Sequence, residues 1–261
     1  MRALFTAATG MEAQQAHIDT IANNIANVGT TGFKKGRTEF QDLFYETLRA
    51  PGSTTSDGSV LPVGVQVGHG VQISAVNTIF SAGDRINTGN QLDMAIDGEG
   101  FFQVQRPTGE TVYTRDGTFK IDGNGNIVTS LGYPMIPNVT VPNDTLSITI
   151  LPDGTINADT AGSTTATNLG QIQLARFSNP AGMRKVAGNI FEATESSGNP
   201  ETGIPEQQGY GAIAAGFLEG SNVEVAEELV QMILAQRAFE VNSRVIQAGD
   251  EMLRVAAQLS Q

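Results

Sequence analysis

The side chains most able to do chemistry in this chain are its few histidines, so their surroundings come first. Only His17 and His69 occur among 261 residues, and there is no cysteine. Neither histidine has a second histidine or a carboxylate at the spacing of a zinc site. Nucleophile–base arrangements of the Ser–His or Cys–His kind also lack the residues they need. The histidines therefore predict neither a metal site nor a catalytic site.

A polar turn in the middle of the chain resembles the start of a calcium loop. Asp122, Asn124 and Asn126 occupy positions one, three and five of such a loop. The sixth position is Ile127, where a glycine is required, and the twelfth is Tyr133, where a bidentate glutamate is required. The turn of a β-hairpin explains the segment better than a calcium site does.

Two further patterns resemble sites of enzymes. The Gly98-Glu99-Gly100 segment lacks the third glycine and the following helix of a dinucleotide-binding motif, and a tight entry into the next strand explains it. Asp93 and Asp97 are not excluded as a pair of glycosidase acids by spacing alone, but nothing around them suggests a sugar cleft. We predict that the protein is not an enzyme and has no catalytic residue, cofactor or metal ion.

Charge and hydropathy exclude two classes of partner. The chain has 15 basic and 27 acidic residues, a net charge of −12, whereas nucleic-acid binding needs clustered cations. The only basic cluster is Lys34, Lys35 and Arg37, which we interpret as solvated turn charges. No stretch approaches the roughly 20 apolar residues of a membrane span, and no secretory signal is visible near the first residue. The residues alone predict a cytoplasmic protein that binds neither nucleic acid nor membrane.

The last 41 residues have the pattern of one long amphipathic helix. Ser221 and Glu224 have the spacing of a capping box at its start. Apolar residues then recur at alternating intervals of four and three, the period that keeps a seam facing a partner helix. The seam consists of Leu234, Ala238, Val241, Val245, Ala248, Met252, Val255 and Leu259.

The first residues of the chain carry a second seam with the same period. Its members are Leu4, Ala7, Met11, Gln14, Ile18, Ile21, Ile25 and Val28, and only Gln14 is not apolar. Gly29 and Gly32 follow and are expected to end this helix. We predict that the N- and C-terminal helices form a coiled coil and that their seams are the assembly contacts of the protein.

The middle of the chain has a β pattern. Short runs such as FFQVQR, TVYT and LSITILP alternate with turn signals such as PTG and PDG, which favours a mostly antiparallel domain. The fold class is therefore α+β, with this β domain inserted between the helices. We predict an N-terminal helix over 1–33, an arm over 34–90, the β domain over 91–209, and a return strand with the C-terminal helix over 210–261.

The predicted arm has mixed signals. Phe33–Leu48 is compatible with a further helix or with a strand, and residues 50–59 have the composition of a loop. Val60–Val76 alternates valine with polar residues and predicts extended chain, either as a flexible linker or as an ordered arm.

Several motifs together resemble one protein family. ANNIANVGTTGFK ends the first helix, and SNVEVAEELVQMILAQRAFEVNSRVIQAGDEMLR makes up most of the last. Between them lie LDMAIDGEGFFQVQ, TRDGTFKID and GYPM. In this order, over essentially the whole chain, they resemble the bacterial flagellar rod and hook family of axial proteins. MEAQQ at 11–15 and QLARFSNPAGM at 173–183 resemble its distal rod member. Gly29 stands where relatives commonly have asparagine, a change that a helix cap tolerates.

The resemblance implies a function. The expected protein is a structural subunit of the distal rod that assembles with itself into a hollow helical drive shaft and transmits torque from motor to hook. Expected partners are the proximal rod proteins, the hook protein, the rod cap and the surrounding bushing rings. Export without a cleavable signal peptide would place the rod in the periplasm, which replaces the cytoplasmic prediction. The alternatives are another axial protein, of the proximal rod or the hook, and an enzyme or glycan-binding β domain on a coiled-coil stalk.

Overall fold

The chain folds into two compact units. The computed structural model describes residues 2–52, 62–161 and 166–259. The first unit, here called the helical unit, combines residues 1–25, 36–77 and 224–261. The second, the β unit, combines residues 26–35 and 78–223.

The helical unit contains both long helices, α1 over Arg2–Ala26 and α2 over Val225–Leu259. The first backbone bond of α2 runs from the Glu228 amide to the Glu224 carbonyl, so the helix begins after Glu224. The predicted helix start at Ser221 is therefore wrong. The Ser221 hydroxyl instead accepts a hydrogen bond from the Val223 amide at 3.3 Å, within the segment that leads to the helix.

The same unit contains the first four strands: β1 over Gly36–Asp42, β2 over Tyr45–Arg49, β3 over Val65–Gly68 and β4 over Val71–Thr78. β1 pairs with β4, and β2 pairs with β3 in antiparallel register. Most of the stretch that allowed either a helix or a strand is therefore strand, and the valine-rich stretch is largely strand too. Residues 53–61 of the predicted arm lie outside the described residues.

The β unit contains the other strands of the described chain, with short turns at PTG, at PDG and after Asp122 as predicted. They are β5 Arg85–Asn87, β6 Met94–Asp97, β7 Phe101–Gln105, β8 Thr111–Thr114, β9 Phe119–Ile121, β10 Ile127–Thr129, β11 Met135–Ile136, β12 Thr145–Ile150, β13 Thr155–Thr160, β14 Thr167–Gln171, β15 Leu174–Arg176, β16 Arg184–Val186, β17 Ile190–Glu192, β18 Glu201–Gly203, β19 Ala212–Ala215 and β20 Phe217–Glu219. A single 3₁₀ turn, Pro180–Gly182, is assigned among the described residues.

The largest sheet of the described residues has seven strands in the order β16-β17-β8-β7-β15-β18, with β11 also paired to β7. β12, β13 and β14 form a three-stranded sheet, and the pairs β9–β10, β6–β19 and β5–β20 are separate. The β-unit pairings with a defined register are all antiparallel. This confirms the prediction of an α+β protein with an antiparallel β domain.

The core of the β unit explains why apolar and polar residues alternate along its strands. One cluster gathers the inward aliphatic and aromatic side chains, with Phe102, Val104, Val112 and Ile156 fully buried among them. A second cluster is built on Phe101, Phe177 and other rings that meet edge to face. Burial of this size drives the folding of the β unit from its own residues.

The division into units differs from the predicted domains at both ends of the arm. Residues 26–35, which we assigned largely to the N-terminal helix, group with the β unit, and residues 36–77 group with the helices. The reason is local: α1 ends at Ala26, and the segment after it makes hydrogen bonds to strands and loops of the β unit. The chain thus passes between the units at 25/26, 35/36, 77/78 and 223/224.

Candidate assembly site

The two helices of the helical unit contact each other in antiparallel register. Asn24 donates its amide to the Glu228 carboxylate at 3.1 Å. Further along, a Cβ placed on Gly10 would lie 2.9 Å from the Asn242 amide nitrogen. A Cβ on Gly249 would lie 2.5 Å from Leu4 Cδ2. Residue numbers decrease along α1 as the numbers of their partners increase along α2, which defines the antiparallel direction and the register of the pair.

The residues of α2 on this face are polar or small. Glu228, Ala235, Asn242 and Gly249 follow one another at intervals of seven residues. Glu228 and Ala235 are buried, while Asn242 and Gly249 are half-buried. Sequence reasoning missed this heptad because it searched for apolar side chains. The signal that was present is the spacing itself, together with a glycine inside an otherwise strong helix, where it costs about 1 kcal/mol and has a packing reason.

Asn24 joins three elements of the helical unit. Besides its bond to Glu228, its side chain donates to the Gly36 carbonyl and accepts from the Gly36 amide, both at 2.9 Å. Asn24 is 2% exposed, so these are bonds in a dry environment. The start of β1 is therefore fixed to α1 and, through Glu228, to α2.

His17 lies seven residues before Asn24 in α1 and packs against Phe40 of β1. Its ring meets the Phe40 ring edge to face, with centroids 5.6 Å apart. Its Nδ1 is buried without a hydrogen-bond partner. Burial lowers the pKa of His17, and the Glu228 carboxylate opposes that shift. Burial, the larger of the two effects, favours the neutral imidazole, and the ring contact with Phe40 gives it a packing role.

The predicted seam residues of the first helix are partly covered within the helical unit. Ile21 is buried, and Leu4, Met11, Ile18 and Ile25 are half-buried. The last predicted member, Val28, lies beyond the end of α1 in the β unit and is 40% exposed.

The predicted seam residues of the second helix lie on its exposed side in this chain. Their exposed fractions are 56% for Leu234, 58% for Val241, 42% for Val245, 67% for Met252 and 49% for Val255. The Leu259 side chain lies outside the described residues. None of them is buried in the single chain, whereas the observed contacts with α1 involve members of the heptad of Glu228. Five large apolar side chains on one exposed helix form a surface that a single chain leaves uncovered.

A buried ion cluster lies inside the β unit, next to the places where the chain enters and leaves it. Glu219 accepts from the Lys34 ammonium at 2.5 Å and pairs with the Arg115 guanidinium at 3.3 Å. All three side chains are 5% exposed or less. Burial lowers the pKa of Lys34 and of Arg115, and Glu219 opposes both shifts. Arg115 also donates to the Gly98 carbonyl at 2.8 Å, which links the cluster to the strands.

Asn222 completes this site, and we call Lys34, Arg115, Glu219 and Asn222 the junction cluster. Asn222 accepts from the Lys35 amide at 2.7 Å and donates to the Ile79 carbonyl at 2.8 Å. The segments after α1, after β4 and before α2 therefore meet on one asparagine.

Two of the sequence motifs interlock beside the junction cluster. The Thr31 hydroxyl donates to the Asp116 carboxylate at 2.9 Å. Gly32 has a φ of +66°, and a Cβ there would lie 2.6 Å from the Asp116 amide nitrogen. Gly32 is therefore a docking residue of the β unit, since α1 has already ended at Ala26. Charged residues next to a glycine and a phenylalanine, as in GFK and RDGTF, were the signal for this site.

The other residues considered for chemistry have structural partners. Asp93 accepts from Thr88 and Asn90 at 2.6 and 3.0 Å, and Asp97 pairs with Arg85 at 2.7 Å. The Asp122 carboxylate accepts from backbone amides of its own turn. Across the described ranges, no group of histidine and carboxylate side chains is arranged to hold a metal ion. Neither long helix of the described chain has an apolar stretch sufficient to cross a membrane.

Comparison with protein families gives three matches in the order of the chain. Residues 4–34 match a model described as flagella basal body rod protein. Residues 95–158 match the flagellar hook protein FlgE/F/G D1 domain, and residues 214–259 match the flagellar basal body rod FlgEFG protein C-terminal model. The first and third matches cover most of the paired helices, and the second lies within the β unit.

Curated relatives match over the full length. The flagellar basal-body rod protein FlgG of Borreliella burgdorferi is 48% identical, with 99% of this chain and 98% of the relative covered. The FlgG proteins of Agrobacterium fabrum and Bacillus subtilis are 45% and 37% identical, with 99% of each chain covered. The chain belongs to the FlgG family of flagellar basal-body rod proteins.

The family to which the chain belongs indicates the role of the protein. It is a structural subunit of the distal rod of the flagellar basal body and serves motility. Its relatives are structural rod proteins rather than enzymes. The rod protein belongs at the basal body and assembles with other rod and hook components.

Proposed function

We propose that this rod subunit assembles with itself into a hollow helical shaft that transmits torque from motor to hook. The observation that carries the proposal is the exposed apolar face of α2. It places Val241, Val245 and Met252 in water in the single chain. At about 25 cal/mol per Å² of apolar surface, covering such a face with neighbouring subunits stabilises a polymer.

We propose that α1 and α2 form a two-helix coiled coil that lines the inside of the shaft. The heptad of Glu228, Ala235, Asn242 and Gly249 supports this, because it has the period of a coiled coil and bears contacts to α1. The predicted seams then act as assembly contacts, with residues Leu4, Met11, Ile18, Ile21, Ile25, Val28, Leu234, Val241, Val245, Met252, Val255 and Leu259.

Growth into a shaft needs contacts that do not close on themselves. When one patch of a subunit meets a different patch of the next, and the rotation does not return to its start, the product is a helical polymer. The apolar face of α2 is the patch that the helical unit offers for such a contact.

We propose the following partners and route. The ends of the shaft meet the proximal rod proteins and the hook protein, the rod cap guides growth, and bushing rings surround the shaft in a Gram-negative envelope. The chain reaches the periplasm through the flagellar export apparatus without a cleavable signal peptide. No nucleic acid, membrane insertion or cofactor takes part.

Electron microscopy of the concentrated full-length protein tests the proposal. Rods or tubes are the expected result, and their density map would show α2 faces buried between subunits. Discrete particles at every concentration would contradict self-assembly. If such particles also melted at a higher temperature with a glycan added, a stalked binding module would replace the rod as the better explanation.

A further inference from the structure

The junction cluster lies next to three of the four places where the chain crosses between the two units. The chain crosses between the units at 25/26, 35/36, 77/78 and 223/224. Residues of the β unit next to the crossings at 35/36, 77/78 and 223/224 are hydrogen-bonded to one another. The Ile79 amide donates to the Lys35 carbonyl at 2.9 Å, and the Asn222 amide donates to the Phe33 carbonyl at 3.4 Å.

Glu219 makes a second set of ties between the same segments. Its Oε1 accepts from Lys34 Nζ at 2.5 Å and from the Gly83 amide at 3.1 Å. Its backbone carbonyl accepts from the Gly32 amide at 2.8 Å. Through Arg115 the same carboxylate is connected to the Gly98 carbonyl of the β unit. Glu219 thus binds the segment after α1, the segment after β4 and, through Arg115, the loop before β7.

Stability alone is a poor reason for burying these charges. An ion pair taken out of water regains little over an apolar replacement of the same size, because its desolvation is costly. Charge-assisted hydrogen bonds are, however, short and directional, so they resist sliding in a way that apolar contacts do not. Resistance to displacement is the property that a shaft under torque requires of its chain crossings.

We propose that Glu219 and Asn222 are positioning residues of a mechanical joint, which binds the crossing segments together so that torque entering one is shared by all. The proposal rests on the proposed function as a shaft. The joint is made wholly of β-unit residues, and without it the segments at 35/36, 77/78 and 223/224 would be independent tethers.

The test uses full-length Glu219→Gln and Asn222→Ala, with Glu201→Gln as the matched control. Glu201 forms an ion pair with Arg176 at 3.2 Å in the same unit but is 62% exposed and distant in sequence from the crossings. Because the chain has no cysteine, spin labels at Gly29→Cys and Thr108→Cys report whether segment 26–35 stays docked within the β unit. We expect one narrow distance peak in the parent and the control, and loss of that peak in both joint variants.

The second readout is the bending of polymers seen by electron microscopy. Joint variants should still polymerise but form rods with a lower persistence length, while the melting of the β unit in Asn222→Ala stays close to the parent. Straight rods of unchanged persistence length, or an unchanged distance peak, would overturn the proposal. If Glu219→Gln does not fold, Asn222→Ala decides the question, since it removes hydrogen bonds without leaving a charge unpaired. A parent that forms no polymer would overturn the proposed function, and the spin-label distances would still decide whether the joint holds its segment.

Discussion

Asn24 and Glu228 stand 204 positions apart in the chain and share a buried hydrogen bond of 3.1 Å. This bond connects the first helix to the last, and the same asparagine satisfies both backbone groups of Gly36. A single polar side chain of this kind within a helix pair fixes register, as a buried asparagine does in coiled coils.

Replacing Asn24 with alanine should destabilise the helical unit by about 2–4 kcal/mol, because buried backbone groups lose their partners. Thermal unfolding followed by circular dichroism at 222 nm measures the effect. Gln15→Ala, at an exposed position of the same helix, should change the midpoint little. Equal effects of the two substitutions would show that the Asn24 bonds do not contribute to the stability of the helix pair.

The pH dependence of the helical unit should reflect His17. Its pKa is lowered in the folded chain, so the unfolded chain binds a proton at a higher pH than the folded chain does. Stability is therefore fully present above the ordinary histidine pKa of about 6.5 and is lost as the pH falls below it. Urea unfolding at pH 7.5 and 5.5 measures this loss. In His17→Gln, the part of the pH dependence of the unfolding free energy that is due to the imidazole should disappear. An unchanged pH dependence would show that other groups cause it.

Much of the fold was predictable because its signals are local. Turn residues such as those of Pro152-Asp153-Gly154 and alternating apolar residues are properties of neighbours in sequence, and both were confirmed. The face of α2 that contacts α1 was not predictable in the same way. Its residues include Glu228 and Gly249, whose inward position depends on the partner helix rather than on their own hydropathy.

The two glycines after α1 should respond differently to a side chain. In Gly32→Ala the alanine must adopt the left-handed φ of +66°, and its Cβ would lie 2.6 Å from the Asp116 amide nitrogen. We expect the unfolding free energy of the β unit to fall by about 2–4 kcal/mol. Gly29→Ala meets nothing within 4 Å and serves as the control, with a change near zero. Differential scanning calorimetry of both variants measures the difference. A Gly29→Ala variant as unstable as Gly32→Ala would contradict the docking of this segment.

Charges on the exposed face of α2 should separate assembly from folding. Val245→Asp and Met252→Lys leave the monomer as stable as the parent, because both positions are exposed in the single chain. In a polymer they would bury an unpaired charge, at a cost of several kcal/mol for each subunit. Sedimentation of polymers against monomers measures assembly, and thermal unfolding measures the monomer.

Two controls complete this experiment. Glu240→Gln should assemble as the parent does, whereas Ala235→Asp should unfold the helical unit even in the monomer, since Ala235 is 3% exposed. If all the charged variants assembled normally, the exposed face would not be the assembly surface.

Removing α2 should abolish polymers and leave the β unit folded. A chain ending at Glu224 keeps Glu219 and Asn222, so the junction cluster and the core of the β unit remain complete. We expect a cooperative melt by calorimetry and no rods by electron microscopy. A chain ending at Leu218 lacks the cluster and should melt lower. Rods formed by either truncated chain would contradict the role of α2 in assembly.

The missed parts of the candidate site share a physical cause. Lys34 looked like a solvated turn charge because lysine is rarely buried. Its burial follows from Glu219, which lies 185 positions away and has no sequence signal of its own. An ion pair between residues this far apart depends on the three-dimensional fold, and the hydropathy pattern along the sequence does not predict it.

Because Leu4 packs beside Gly249, α1 cannot complete its contact with α2 until nearly all of the chain between them has been made. Contacts between distant positions also form slowly, since the entropy of closing a long loop must be overcome first. Within the β unit, hairpins such as that of Phe102 with Thr114 join much closer positions and escape this delay. The contact of α1 with α2 is therefore expected to form late, whereas the contact of Asn24 with Gly36 can form early.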